Sequence, residues 1–233
     1  VGERTAPANQ ILTGLPPREL QQLLLLLEPV SLAFGQVLYQ PGVPIRHVYF
    51  PLDCLVSLLT EVDRRRTLEV GMVGAEGMTG MSLPLGIAHS DVRALVQGAG
   101  EALRLPAAAL TSAFNRSSAL RKALLLYAHS LMAQISQTAA CNRFHDSEER
   151  LARWLLMTAD RVGSGDFALT QEFLAHMLGL RRVGVTEAAG QLKRRRLITY
   201  TRGHLQILDR RGLERASCSC YQRVNSLLAQ YRD

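Results

Sequence analysis

The spacing of three residues in the last third of the chain constrains the fold most. Counting Gln171 as position one, Ala175 falls at five, Gly179 at nine and Val185 at fifteen. Two helices that cross steeply need a small residue where they touch and a glycine in the tight turn between them. They also need a β-branched residue on the second helix that packs back on the first. Thr170 is a good cap for the first helix, and Leu174, Leu178, Val185 and Leu192 supply a small core. The pattern predicts a helix-turn-helix whose second helix runs from about Arg181 to Arg195. Beyond the Lys193–Arg196 run, Leu197–Tyr200 and Leu205–Leu208 alternate around Arg202-Gly203. That reads as a β-hairpin, the wing of a winged helix. Upstream, Asp146 and Glu149 have capping-box spacing. They open a helix with Leu151, Trp154, Leu155 and Ala159 on its buried face, which Gly163 ends.

Charge follows the same division. The formal net charge is +7, yet residues 1–140 hold 11 Lys+Arg against 10 Asp+Glu. Residues 141–233 hold 16 against 10, and Arg181–Arg215 alone has ten basic residues and three acids. A basic last third joined to a near-neutral first part points to two domains, the basic one meeting a polyanion. Arg181, Arg182, Thr186 and Glu187 are polar residues at the end that a recognition helix presents to the major groove. Arg182 can pair bidentately with guanine, and Glu187 can accept from a cytosine amine. Lys193 extends the basic face, and Arg202 and His204 at the wing tip are placed to meet phosphate.

The first 116 residues read differently. A helix is expected over Pro17–Glu28, stopped by Pro29. Short runs of β-branched and aromatic residues then recur every eight to twelve positions: Val37–Gln40, His47–Phe50, Leu55–Thr60, Thr67–Met72, Val92–Gln97 and Ala102–Leu105. Turn signals such as Pro41-Gly42 and Gly98–Gly100 separate them, a rhythm that fits an antiparallel sandwich or barrel. Arg64–Arg66 sits at an expected hairpin tip and reads as a solvated turn.

Residues 117–141 contain no Gly or Pro and predict one long helix with two apolar stripes. One stripe is Leu120, Leu124, Tyr127, Leu131 and Gln134; the other is Leu125, Ala128, Met132, Ile135 and Ala139. One should pack on the chain itself and the other on a second copy. The first of them is the expected dimer interface. The fold class is therefore α+β: an N-terminal antiparallel, jelly-roll-like β-roll, a long dimerisation helix and a C-terminal winged helix-turn-helix. The expected divisions are residues 1–116, 117–144 and 145–233.

Over nearly the whole length, and most strongly over Thr170–Leu208, this layout resembles the Crp/Fnr family of bacterial transcription regulators. Pro41-Gly42 also resembles the glycine turn early in that family's β-roll. The resemblance implies a cyclic-nucleotide-binding-like β-roll on a helix-mediated homodimer with two DNA-binding domains. It places Thr170 and Gln171 where members contact phosphate. Some members read bases with an Arg-Glu-x-x-x-Arg pattern; of Arg182, Val183 and Glu187 at those positions, only Arg182 matches, so the target sequence is not carried over. Cyclic-nucleotide binders in the family carry Gly-Glu near the start of a cassette and Arg-Ser at its end. Ala75-Glu76-Gly77 resembles the start, but the end reads His89-Ser90-Asp91-Val92-Arg93, and an Asp facing a phosphate would be repelled. Glu76, Gly77, Ser90 and Arg93 remain the candidate effector pocket, for a ligand other than cyclic AMP or for none.

Other chemistries find little support. No nucleophile elbow, P-loop, Cys-His constellation or His-x-His motif occurs, so an enzyme is not expected. His89 and His129 are solitary. Cys218-x-Cys220 offers two ligands after the wing, too few for a metal or cluster site, and exposed thiols are expected there. No cofactor or metal is expected, and a small-molecule effector is left open. The longest apolar run, Leu23–Leu27, is far short of a membrane span, no secretory leader pattern opens the residues given, and four scattered cysteines fit a reducing cytoplasm. The expected partners are double-stranded DNA at a palindromic site, a second copy of the chain and RNA polymerase. The alternatives are a cyclic-nucleotide-responsive regulator and a ligand-binding adaptor acting by protein contact alone.

Overall fold

The computed structural model describes residues 9–63 and 66–230. They form two compact units, residues 9–58 with 72–132, and residues 59–63 and 66–71 with 133–229. The chain is mixed helix and antiparallel sheet, as its rhythm predicts.

The first unit begins with two short helices, α1 (Gln10–Thr13) and α2 (Pro17–Leu24). The strands are β1 (Glu28–Leu32), β2 (Val37–Tyr39), β3 (His47–Pro51), β4 (Leu55–Asp63), β5 (Arg66–Val73), β6 (Arg93–Gly98) and β7 (Gly100–Pro106). They make two sheets, ordered β1-β7-β3 and β2-β6-β4-β5. Val48, Phe50, Leu55, Val56, Val73, Met78, Ala94, Val96 and Leu105 are all fully buried. At about 1.5–3 kcal/mol per large apolar side chain, this core is the main source of the roll's stability. Gly42, at φ +73°, makes the turn after Pro41 that few other residues would adopt.

Asn9 locks the first helix onto the roll. Its Oδ1 accepts from the backbone N–H groups of Ile11 and Leu12, and its Nδ2 donates to Pro51 O at 3.0 Å and Gly77 O at 2.8 Å. The side chain is fully buried, so every one of its polar atoms must find a protein partner.

Two boundaries differ from expectation. The α2 helix stops at Leu24, and Pro29 lies inside β1 rather than ending a helix. Proline is tolerated there because β1 is an edge strand paired only with β7. An unforeseen helix, α3 (Ala107–Arg116), precedes α4 (Ser118–Phe144). Ser117 separates them in an extended conformation, its Oγ accepting from Leu120 N at 2.9 Å. The Arg66 guanidinium pairs with Asp63 at 2.6 Å, as a solvated turn would; Arg64 and Arg65 lie outside the described residues.

The stripe expected at a dimer interface is corrected. Leu120, Leu124, Tyr127, Leu131 and Gln134 are all buried within the chain. Leu125 and Met132, seven residues apart, are 44% and 58% exposed, and Ala139 is exposed as well. Both stripes are helical in period, so periodicity alone could not tell which one the roll would cover.

The second unit contains α5 (Ser147–Val162), β8 (Asp166–Ala168), α6 (Gln171–Leu178), α7 (Arg182–Arg194), β9 (Ile198–Thr201), β10 (His204–Ile207), α8 (Arg210–Ala216) and α9 (Cys220–Gln230). The capping box of Asp146 and Glu149 opens α5, and Gly163, left-handed at φ +70°, ends it. Its buried face includes Leu151, Trp154, Leu155 and Ala159. Among the described residues, no helix is long and apolar enough to cross a membrane.

Replacing Asn9 by Ala should lower the unfolding free energy by about 2–4 kcal/mol, because two buried carbonyls lose their donor and α1 its cap. Urea denaturation followed by circular dichroism measures this; a change within about 0.5 kcal/mol would contradict the staple role.

Candidate nucleic-acid interface

The helix-turn-helix is built as its spacing predicts. Thr170 caps α6, its side chain accepting from Phe173 N at 3.1 Å, an interaction that contributes about 1 kcal/mol. Gly179 ends α6 in the left-handed region at φ +59°, and Leu180 N then bonds to Ala175 O at 3.0 Å. A Cβ at residue 179 would approach Leu68 Cδ1 to 2.7 Å, so that side chain would have to shift; the left-handed φ is what favours glycine here. Leu68 lies in β5, and residues 59–63 and 66–71 belong to this unit. The neighbouring Glu69 is buried and accepts from Trp154 Nε1 at 2.9 Å.

On α7, Val185, Ala188, Ala189 and Leu192 are buried. The helix then leaves Arg181, Arg182, Thr186 and Glu187 exposed at its start, and Lys193 toward its end. The Thr186 hydroxyl lies 3.1 Å from Gln171 Oε1 and 3.0 Å from Arg182 O. Those contacts tie the beginnings of α6 and α7 together and restrict the Gln171 side chain. The Arg181 side chain makes no capping bond at the start of α7, where backbone N–H groups favour an anion.

The wing joins the same surface. β8, β10 and β9 form its sheet in that order. Arg202 and Gly203 make the tip with φ of +51° and +81°, the mirror-image two-residue turn that suits a twisted hairpin. An arginine in this region costs about 1 kcal/mol or more. Leu169 N bonds to Gly203 O at 2.7 Å, holding the tip beside the Thr170 cap. Tyr200, which the sequence reading did not single out, donates its hydroxyl to Leu169 O at 2.9 Å. Partial burial raises its pKa, and the charge of nearby Arg182 opposes that rise.

Not all of the basic residues are equally available. Arg195 pairs with Glu148, Arg210 with Asp160 and Glu214, and Arg215 reaches Asp209 at 3.9 Å. His204 is already engaged, with Nε2 2.5 Å from Asp166 Oδ1. The exposed Asp166 beside it comes from β8, a strand not identified from the sequence. Thr170, Gln171, Arg181, Arg182, Thr186, Glu187, Lys193 and Arg202 thus share one unit, whereas a phosphate reaching His204 meets Asp166 as well.

The residues of the candidate effector pocket have other neighbours. Gly77 lies under the Tyr127 ring, which a Cβ at that position would overlap. Ser90 Oγ accepts from Val92 N at 3.2 Å, and Arg93 Nε donates to Gln40 Oε1 at 3.0 Å. Glu76 is half-buried. A separate cleft of about 310 Å³ is lined by Arg18, Glu19, Gln22, Leu23, Arg116 and Ser117, among others. His89 and His129 are exposed. The expectation of exposed thiols is corrected: Cys218 and Cys220 are 4% and 1% exposed, because the α8–α9 turn folds back onto the end of α4.

A basic recognition helix beside a wing defines a DNA-binding module of the winged-helix class. Comparison with known proteins agrees: residues 149–216 match the Crp-like helix-turn-helix domain. No curated protein matches the sequence. Among solved structures, the fold is similar to a Crp/Fnr-family transcriptional regulator of Eubacterium rectale. That match has 17% identity, 91% of this chain and 97% of that one covered, and a TM-score of 0.67. It is also similar to the c-di-GMP-responsive global regulator CLP of Xanthomonas campestris, at 17% identity, 82% and 99% coverage and a TM-score of 0.67. A Crp/Fnr-family regulator of Thermus thermophilus shares 23% identity, with 82% and 98% coverage and a TM-score of 0.65. The resemblance to the Crp/Fnr regulators therefore holds in the fold and in the helix-turn-helix domain.

Replacing Arg202 by Asn should shift two properties in opposite directions. The hairpin should gain about 0.5–1 kcal/mol from relieved strain, while DNA affinity falls and the salt slope drops by about one. Thermal melting and anisotropy titrations at several salt concentrations measure both; unchanged affinity and slope would remove Arg202 from the interface.

Proposed function

We propose that the chain is a homodimeric, sequence-specific DNA-binding transcription regulator and not an enzyme. The observation that carries this reading is the division of α7. One face is buried in the domain core, and Arg181, Arg182, Thr186 and Glu187 are left exposed beside the wing. Arg182 reads guanine through its O6 and N7, and Glu187 accepts from a cytosine amine. Thr170, Gln171, Lys193 and Arg202 hold phosphates and set register. A DNA target places the protein in the bacterial cytoplasm, where RNA polymerase is a further partner.

The dimer forms along the outward stripe of α4. Leu125, Met132 and Ala139 stand seven residues apart and are exposed, with half-buried Ile135 between the last two, the spacing of a two-stranded coiled-coil seam; Ala128, of the same stripe, is buried within the chain. Two copies related by a twofold axis then present two recognition helices to successive major grooves. The site is a palindrome of about 20–24 bp.

The β-roll is the sensor, and its effector is not cyclic AMP. Tyr127 covers Gly77 at the start of the resembled cassette, and Asp91 stands where the phosphate-binding pair would end it. An effector acts by binding two arrangements of the dimer with different affinities.

Arg182→Ala should cost about 1–3 kcal/mol at the cognate site and relax the preference at one base step. Competition between cognate and scrambled duplexes measures this; equal losses on both would assign Arg182 to phosphate. Met132→Glu should leave the melting temperature within a few degrees and convert the dimer to monomer in analytical ultracentrifugation, since it places like charges across the seam. A dimer that survives the substitution would exclude this face as the interface.

A further inference from the structure

The second unit holds a cluster of four potential ligands that the DNA-binding reading does not use. Cys141 is in the last turn of α4 and His145 directly follows its end; His145 N still bonds to Cys141 O at 3.1 Å, so the two residues stay on one face. Cys218 lies in the turn after α8, and Cys220 is the first residue of α9. Folding brings these pairs together across more than seventy residues of sequence. Cys141 Sγ is 3.5 Å from Cys218 Sγ, and Cys220 Sγ is 3.5 Å from His145 Nδ1. All four donor atoms lie within 4.8 Å of one another. The three cysteines are buried and form a small cluster of their own.

Tetrahedral zinc has Zn–S near 2.3 Å and Zn–N near 2.0 Å, which sets the edges of the ligand tetrahedron at about 3.6–3.8 Å. The two 3.5 Å separations match those edges. A multi-iron cluster would spread its ligands wider than a single ion does, so the compact set favours one ion. Soft thiolates with one imidazole select zinc over calcium, magnesium or manganese. Four protein ligands leave no open position, which is the arrangement of a structural rather than a catalytic site.

The surroundings fit a site of this charge. Three thiolates and a divalent ion carry a net charge of −1. Arg150 and Arg153 are 8% and 5% exposed, and neither pairs with a carboxylate among the described residues. Arg150 donates to Leu178 O and Arg153 Nη1 reaches Thr138 Oγ1 at 3.5 Å, but neither Nε has a hydrogen-bond partner. Buried cations of this kind need a nearby anion, and both guanidinium groups act electrostatically on Cys141. One turn before Cys141, Gln137 Nε2 donates to Cys220 Sγ at 3.0 Å, a supporting contact of the type that orients metal ligands.

We infer that Cys141, His145, Cys218 and Cys220 bind one zinc ion, which fastens the turn between α8 and α9 to the end of α4. A disulfide between any two of the cysteines would leave a buried thiol and His145 without a role, whereas one ion uses all four groups. The sequence signal was a Cys-x-x-x-His on a helix and a distant Cys-x-Cys, and nothing in the spacing said that the two would meet.

The test uses the untagged full-length chain, purified under reducing conditions. Elemental analysis should give one zinc per chain, and Cys141→Ser and Cys218→Ser should each abolish stoichiometric binding. Cobalt(II) added to the metal-free wild-type protein should produce the visible bands of a tetrahedral site and sulfur-to-cobalt charge transfer. This titration needs no variant, so poor folding of a serine variant does not hide the answer. Gln137→Ala should weaken binding by roughly ten-fold or more. A reduced wild-type chain that takes up neither zinc nor cobalt at one equivalent would overturn the proposal. So would unchanged zinc content in both serine variants, or a Cys141–Cys218 disulfide found by mass spectrometry in protein kept saturated with zinc.

Discussion

Val185, Ala188, Ala189 and Leu192 must leave water, and α7 has one face on which to bury them. That requirement orients the helix, and the orientation decides what a partner meets. Arg181, Arg182, Thr186 and Glu187 are exposed because they lie on the other side of the same turns. The Gly179 turn has to redirect the chain into α7 for this to work, and its left-handed φ of +59° favours glycine there. Affinity for a polyanion is thus a consequence of core packing, with the charge placed by geometry.

The wing depends on the same constraint. Leu169 N and Tyr200 connect it to the entrance of α6, so the tip cannot move far from the Thr170 cap. Arg202 occupies a left-handed conformation that Asn or Gly would adopt more readily. Strain of this kind is retained where a side chain is needed at one place. Arg195, Arg210 and Arg215 are held in ion pairs at the domain surface instead, so the net charge overstates the binding surface.

The sequence disclosed the features set by local chemistry. Thr170, Gly179, the Asp146 capping box and the Arg202-Gly203 turn each carry a backbone requirement that few residue types meet, and each lies where it was expected. The rhythm of short strands was legible for the same reason. Features decided by long-range packing were not. Two stripes of α4 have equal period, and only the folded roll selects Leu120, Leu124 and Tyr127 for its own core. Pro29 reads as a helix stop, yet an edge strand accepts it. Cys141 and His145 stand too far from Cys218 and Cys220 in sequence for any spacing rule to join them.

The account stands on a twofold arrangement of two such surfaces, and selection of binding sites from random duplexes tests it most directly. The purified chain should enrich an inverted repeat whose half-site centres lie about 10–10.5 bp apart, one helical turn. A guanine should be fixed in each half-site. Enrichment of a single unsymmetrical site, or of no sequence at all, would contradict the account.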